Sequence, residues 1–354
     1  MKKFGMGVLS TILAGAMLVG CGQQTNETAK PEAPADSAAK EAPADSGKTF
    51  NLKFSTASVP NDAHTKALEV LKEEIEKSTE GRVKVEIHHS SSLYNQDNER
   101  QALMRGNLEM AYTSAPWMAE FVPSLNMFTA GYMFKDYDHM TKVLNGEIGK
   151  QVFEEVVEKT GVRPLGAFYL GSREINLREN KEVKTPEDLK GVKLRMPNTP
   201  SWLFLGEALG ANPTPLAFSE LYMALSTGAV DGQDNPLPTV QNAKFYEVTK
   251  SISLTHHIID STWPTINEEV WQEMGPELQE KMVAAVEKAR EFTDQTNLKA
   301  EAELVEFMKQ QGLTVTEPDR EAFSTQVLNK YLENKEITKD WNMDLYQQVQ
   351  DMAK

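Results

Sequence analysis

The chain has 354 residues, and its 52 Asp and Glu against 37 Lys and Arg leave a formal charge of −15. Hydrophobic residues make up 40% and charged residues 25%, a globular balance with length for two domains at about 100–200 residues each. This acidity excludes nucleic acid, or an anionic membrane gripped by a basic patch, as partner, so an anion would have to be held by a few local cations. The single cysteine excludes an internal disulfide, a zinc cage of several thiolates and a CxxC redox pair.

Lys2 and Lys3 precede an uncharged, mostly apolar stretch from Phe4 to Gly20 that ends at the only cysteine, in Leu18-Val19-Gly20-Cys21. This reads as a secretion signal over residues 1–20, too short and too abruptly followed by polar sequence for a spanning helix. Leu-Val-Gly-Cys resembles a bacterial lipobox, which predicts cleavage before Cys21 and lipidation of its thiol. Processing would remove two lysines and no acid, leaving 35 basic against 52 acidic residues and a charge of −17. Residues 22–48 contain no Val, Ile, Leu, Met, Phe, Trp or Tyr, so with Cys21 they are expected to form a disordered tether spanning roughly 30 Å. The protein is therefore expected outside the cytoplasm, anchored to a membrane.

From residue 49 strands and helices alternate. Phe50 to Ser55 reads as a half-buried strand, Leu68, Leu71 and Ile75 mark one face of a helix stopped near Gly81, and Val83, Val85 and Ile87 alternate again. A helix through Gln101 to Arg105, a strand from Leu108 to Thr113, a helix from Ile148 to Lys159 and an apolar stretch from Val162 to Leu170 follow. Thr185-Pro186-Glu187-Asp188 is a helix start, with a capping hydroxyl before a proline and acids in the first turn. A strand at Val192 to Met196, a helix from Phe218 to Leu225 and an acidic turn from Asp231 to Pro236 come next. Two strand-like stretches around Ile252 and Thr262 precede a mainly helical remainder with one extended helix from Pro276 to Gln311. The fold class is α/β.

No hydrolase elbow, zincin, phosphate-loop or EF-hand motif occurs, and no metal or cofactor is expected. His256 and His257 with Asp260 suggest a metal only superficially, because adjacent strand residues face opposite ways. Asp231 and Asp234 read as turn acids bonded to their own backbone rather than an acid/base pair. Trp117, Trp202, Trp263 and Phe218 default to core packing, although Trp202 begins a helix just after the Arg195 strand and Phe218 opens the next.

Three stretches carry a dense resemblance: Pro186-Glu187-Asp188-Leu189-Lys190-Gly191-Val192-Lys193-Leu194-Arg195-Met196-Pro197, the run from Leu209 to Leu225, and Gly228-Ala229-Val230-Asp231-Gly232-Gln233-Asp234-Asn235-Pro236. Together with Gly171-Ser172-Arg173 and Lys244 to Val248, they make residues 49–354 resemble the solute-binding proteins of tripartite ATP-independent periplasmic (TRAP) transporters. The family includes C4-dicarboxylate- and sialic-acid-binding proteins. The resemblance implies a two-lobed periplasmic-binding-protein-like fold with a hinge-spanning long helix, closing on a small organic anion for delivery to the transporter's membrane subunits. The implied protein is a monomer and not an enzyme. A sensing module for a signalling partner would share the cleft but should carry a fused signalling or spanning segment, and an enzyme would need a nucleophile and base.

By the same resemblance Arg195 makes the two-pronged contact to the ligand carboxylate, a geometry its planar fork suits independently. Arg173 is implied as a second cation, Asn235 as an amide contact and Phe218 as an apolar wall. On the other lobe the implied contacts are Ala57, Asn95 or Gln96, and Ser114 to Trp117. Ala57 and Ser114 stand where the sialic-acid subgroup has an asparagine and a glutamate, which points away from sialic acid. Trp117 is placed to stack on a ligand face, and Trp263 to line the cleft where the lobes cross. The lobes are expected at 49–172 plus about 261–300, and at 173–260 plus about 301–354.

Overall fold

Phe50, Leu52 and Phe54 point to one side of the first strand and are buried, while Asn51 and Lys53 point to solvent, as their alternation requires. This strand, β1 (Phe50–Ser55), opens a computed structural model that describes residues 47–353. The signal expected at 1–20, the lipidation site Cys21 and the tether up to residue 46 lie outside the described residues. The chain continues through α1 (Ala63–Ser78), β2 (Val83–His88), α2 (Glu99–Met104), β3 (Met110–Thr113), α3 (Ala115–Met118), α4 (Tyr137–Leu144), α5 (Glu147–Thr160), β4 (Val162–Pro164) and β5 (Phe168–Leu177). Next come β6 (Lys193–Met196), α6 (Pro200–Ala208), β7 (Asn212–Pro215), α7 (Phe218–Thr227), β8 (Gly232–Pro236), α8 (Leu237–Asn242), β9 (Ser251–Asn267) and α9 (Glu268–Gln310). The chain then runs through β10 (Thr314–Thr316), α10 (Arg320–Glu333), α11 (Lys335–Thr338) and α12 (Met343–Asp351).

The strands run in the order β2-β1-β3-β9-β5-β8-β6-β7, with β4 and β10 also on β9. β9 belongs to both halves of this array. Its end, Trp263 to Ile266, lies antiparallel to β3, and its stretch from Ser251 to Thr262 lies antiparallel to β5. The sequence suggested two strands here. One strand of 17 residues forms instead, with a local irregularity where His256 takes φ 46 and the register against β5 shifts.

Beside β9 runs α9, which is kinked where Gly275 takes φ 72 ahead of Pro276. Its Leu278, Met282, Ala285, Val286 and Ala289 pack into the core under β1, β2 and α1, while Leu304 and Met308 pack with α7 and α8 at the other end. The expected long helix therefore reaches the cores of both halves. The start expected at Thr185 is present, with Thr185 and Asp188 forming a capping box, but the turn that follows, Pro186–Leu189, is 3₁₀ rather than α.

The clearest departure is β8. Asp231 to Pro236 reads as a turn, yet Gly232–Pro236 is a buried strand between β5 and β6. Its turn-forming residues are tolerated because neighbouring side chains satisfy their polar groups, so tertiary context overrides local preference. Asp231 does not bond its own backbone either: its carboxylate accepts from the Lys193 amide on β6 at 2.8 Å.

Gly171 takes φ +133 within β5, and a Cβ there would lie 2.6 Å from Pro236 Cβ and 2.7 Å from Glu301 Oε1. Gly171→Ala should therefore destabilise the fold by about 2 kcal/mol or more, read as a lowered midpoint in denaturant unfolding. An unchanged midpoint would show that β5 yields there at no cost.

Candidate functional site

β6 positions the central side chain. Arg195 sits between Thr214 of β7 and Gln233 of β8 in register, and the residue is 1% exposed. Its Nε donates to the Leu216 carbonyl at 2.9 Å, while Nη2 has no hydrogen-bond partner. No carboxylate among the described residues forms an ion pair with it. Burial pulls Arg195 down to about 9, with the nearby Arg173 adding to the effect and Asp234 opposing it. The side chain remains a cation at neutral pH, buried and short of an anion.

Arg173 has the opposite fate. Its Nε reaches Asp234 Oδ2 at 2.7 Å, its Nη1 reaches Asp260 Oδ2 at 2.9 Å, and its Nη2 donates to Asn235 Oδ1 at 3.2 Å. Burial works against this charge, but the two carboxylates outweigh it and raise Arg173 above its ordinary value. Burial likewise opposes ionisation of Asp234, which Arg173 and His257 overcome, holding it far below the usual carboxylate range. The expected second cation thus reaches the site with its charge matched internally, its guanidinium lying 4.5 Å over the Trp202 ring.

Both arginines line a cavity of about 110 Å³, several times the roughly 10–15 Å³ that one water needs. Of the residues singled out from sequence, Asn235, Phe218, Trp117, Ser114, Gln96 and Ala57 also line it. Gln96 Oε1 accepts from the Phe218 amide at 3.3 Å, joining the loop before α2 to the start of α7 across the cavity. Trp117 is half-buried under the Arg100 guanidinium, 4.4 Å from its ring. Phe218 packs edge-on against Phe245.

Two residues are placed elsewhere. Trp263 is fully buried, with its ring against Phe153 and its Nε1 donating to Ser261 Oγ at 3.1 Å. The cavity lining on β9 stops at Asp260, Ser261 and Thr262, and Trp263 lies just beyond it, opposite Thr113 in the register of β9 with β3. Asn95 directs its side-chain oxygen to the amides of Asp97 and Asn98, shaping the loop rather than lining the cavity. His256 and His257 go to separate carboxylates, Glu174 and Asp234, as the alternation argument requires. Asp260 pairs with Arg173.

The cavity also contains groups that sequence reasoning passed over: Thr56, Asp62, His64, Glu99, Tyr112 and Thr113. Asp62 is recognisable as a helix N-cap, but nothing in the sequence marks Glu99. Burial lifts Glu99 to about 8 against the pull of Arg100 and a hydrogen bond from Ser55, so at neutral pH it is mostly the uncharged acid.

With an unfolded value near 4.5, the folded state holds this proton more tightly, and its contribution to stability falls as pH rises from about 4.5 to about 8. Scanning calorimetry should find Glu99→Gln and wild type alike near the lower pH. The variant should gain progressively to about pH 8 and hold a constant advantage above it. A pH-independent difference would contradict this account of Glu99.

The family model DctP, bacterial extracellular solute-binding protein, family 7, matches residues 54–336. A relative from Vibrio cholerae, the sialic acid-binding periplasmic protein SiaP, is 35% identical over 272 residues, covering 77% of this chain and 84% of that protein. A TRAP periplasmic solute-binding protein from Roseobacter denitrificans, solved with bound 3-deoxy-D-manno-oct-2-ulosonic acid, superposes with a TM-score of 0.82 at 39% identity. That match covers 86% of this chain and all of the other. A second protein from the same organism, solved with L-galactonate, gives 0.79 at 29% identity, covering 87% of this chain and 99% of the other.

Proposed function

The chain belongs to the DctP family of bacterial extracellular solute-binding proteins, and on that premise we propose that its cavity holds an organic acid by a single carboxylate on the Arg195 guanidinium. As a TRAP periplasmic solute-binding protein of two-lobed fold, it binds acid ligands for transport across the membrane. The observation that carries the assignment is the buried, charged and unpartnered Nη2 of Arg195. A carboxylate matches the guanidinium fork and offsets the cost of leaving that charge dry and unpaired.

Charge matching narrows the ligand. Arg173 is matched by Asp234 and Asp260, so Arg195 is the one cavity-lining cation without a carboxylate partner among the described residues. The favoured cargo is therefore a monocarboxylate, with hydroxyl groups to meet the remaining polar lining, rather than a dicarboxylate. The ligands named for the relatives above are hydroxylated monocarboxylates, which supports this choice. Ala57 and Ser114 in the lining favour a sugar acid other than sialic acid. Asn235, Gln96, Ser114, Trp117 and Phe218 are the further contacts we assign, with Arg173 acting through its neighbours.

The lobes are 49–172 with 261–300 and 173–260 with 301–354. Ligand contact with both favours the closed form and presents it to the membrane subunits of the transporter. Cys21 carries the lipid anchor, residues 22–48 supply the reach, and the receptor works as a monomer that does no chemistry on its cargo.

Arg195→Ala should weaken binding of a hydroxylated monocarboxylate by about 3–5 kcal/mol in calorimetry while leaving the fold intact. Arg195→Lys should fall between, keeping the charge but losing the fork. Near-native affinity in the alanine variant would reject the assignment.

A further inference from the structure

Facing the same cavity, α1 begins with a paired carboxylate and imidazole. Asp62 Oδ1 accepts from the His64 backbone amide at 3.1 Å and lies 3.0 Å from His64 Nδ1. A carboxylate oxygen only accepts, so the ring proton belongs on Nδ1. The Tyr112 hydroxyl donates to the His64 carbonyl at 3.0 Å, and the two rings pack edge-on with centroids 5.7 Å apart. The imidazole is thus held by Asp62 and by the Tyr112 ring, and the residue is 1% exposed, yet Nε2 has no partner. On β3, Thr113 Oγ1 is also buried without a partner, and it lines the cavity with His64.

We propose that His64, positioned by Asp62, accepts a hydrogen bond at Nε2 from a hydroxyl of the cargo and so selects hydroxylated acids. This rests on the reading that Arg195 holds the carboxylate, because that contact places the rest of the molecule against α1 and β3. With the proton on Nδ1, Nε2 offers a lone pair. A hydroxyl can donate to it, whereas a second carboxylate can only accept and would meet the Asp62 charge behind the ring. Thr113 Oγ1, able to donate and accept, is the natural partner for the next hydroxyl. Asp62 touches no ligand in this scheme. It sets the tautomer, as the carboxylate behind an imidazole does elsewhere.

The test compares L-galactonate or 3-deoxy-D-manno-oct-2-ulosonic acid, whichever binds wild type more tightly, with hexanoate and succinate by calorimetry. His64→Leu should cost the hydroxy acid at least about tenfold and leave hexanoate within about threefold. Asp62→Asn keeps an oxygen for the helix cap, the same atom that faces Nδ1, so it preserves the tautomer while removing the charge, and should cost the hydroxy acid less than His64→Leu does. In the wild-type protein, long-range ¹⁵N–¹H spectra should find Nδ1 protonated throughout and the Nε2 resonance shifted on saturation with the hydroxy acid. That readout needs no variant to fold. An unmoved Nε2 resonance, equal losses for hydroxy acid and hexanoate in His64→Leu, or tighter binding of succinate than of either hydroxy acid would overturn the inference. Arg195→Ala separates the two claims. If it weakens hexanoate and hydroxy acid alike while His64→Leu changes neither, only the role of His64 fails. If Arg195→Ala changes neither, the carboxylate assignment fails and this inference falls with it.

Discussion

A guanidinium taken out of water and left without a counter-ion is among the costliest things a fold can retain, and Arg195 is in that state. The contrast with Arg173 gives this its meaning. Two arginines line one cavity on neighbouring parts of the same sheet. One is matched by Asp234 and Asp260, and the other has only the Leu216 carbonyl. The acids that could have neutralised Arg195 are committed elsewhere, Asp234 to Arg173 and His257 and Asp62 to His64. Glu99 is mostly uncharged at neutral pH. Arg195 is thus the cavity-lining guanidinium left without a carboxylate partner among the described residues, and its open fork suits one carboxylate.

The cavity draws its lining from both halves of the sheet, with Thr113 on β3 and Arg195 on β6. β9 runs from β3 into the β5 half of the sheet, and α9 contributes apolar side chains to cores at both ends. These continuous elements keep the two halves in one body. The cavity walls come from β5 and β9 as well as from shorter elements and loops, and the Gln96 to Phe218 contact joins two of these with a neutral hydrogen bond. Such a contact is weak enough to exchange.

Much of this was legible in the chain. The apolar period of Leu68, Leu71 and Ile75, the alternation of Val83 and Val85, and the capping signal at Thr185 and Asp188 identified α1, β2 and the turn before β6 from local chemistry alone. Arg195 and part of its lining followed from the resemblance to solute-binding proteins. What stayed hidden depends on contacts distant in sequence. Asp234 looks like a turn residue until Arg173, 61 positions earlier, is placed beside it. Trp263 looked like a cleft residue because nothing local says which way β9 turns its faces. Glu99 and His64 acquire chemical meaning only from burial, which Tyr112 and the cavity itself supply. Arg173 was identified by position but not by role, since its charge balance is a property of the folded neighbourhood.

The central claim is geometric and is best tested by a crystal structure of the protein with its tightest-binding hydroxy acid. The account predicts a carboxylate bridging the Arg195 guanidinium through two nitrogens, including Nη2, with Arg173 still bound to Asp234 and Asp260. An acid bound away from Arg195, with that guanidinium turned to an internal carboxylate or to bulk water, would contradict it.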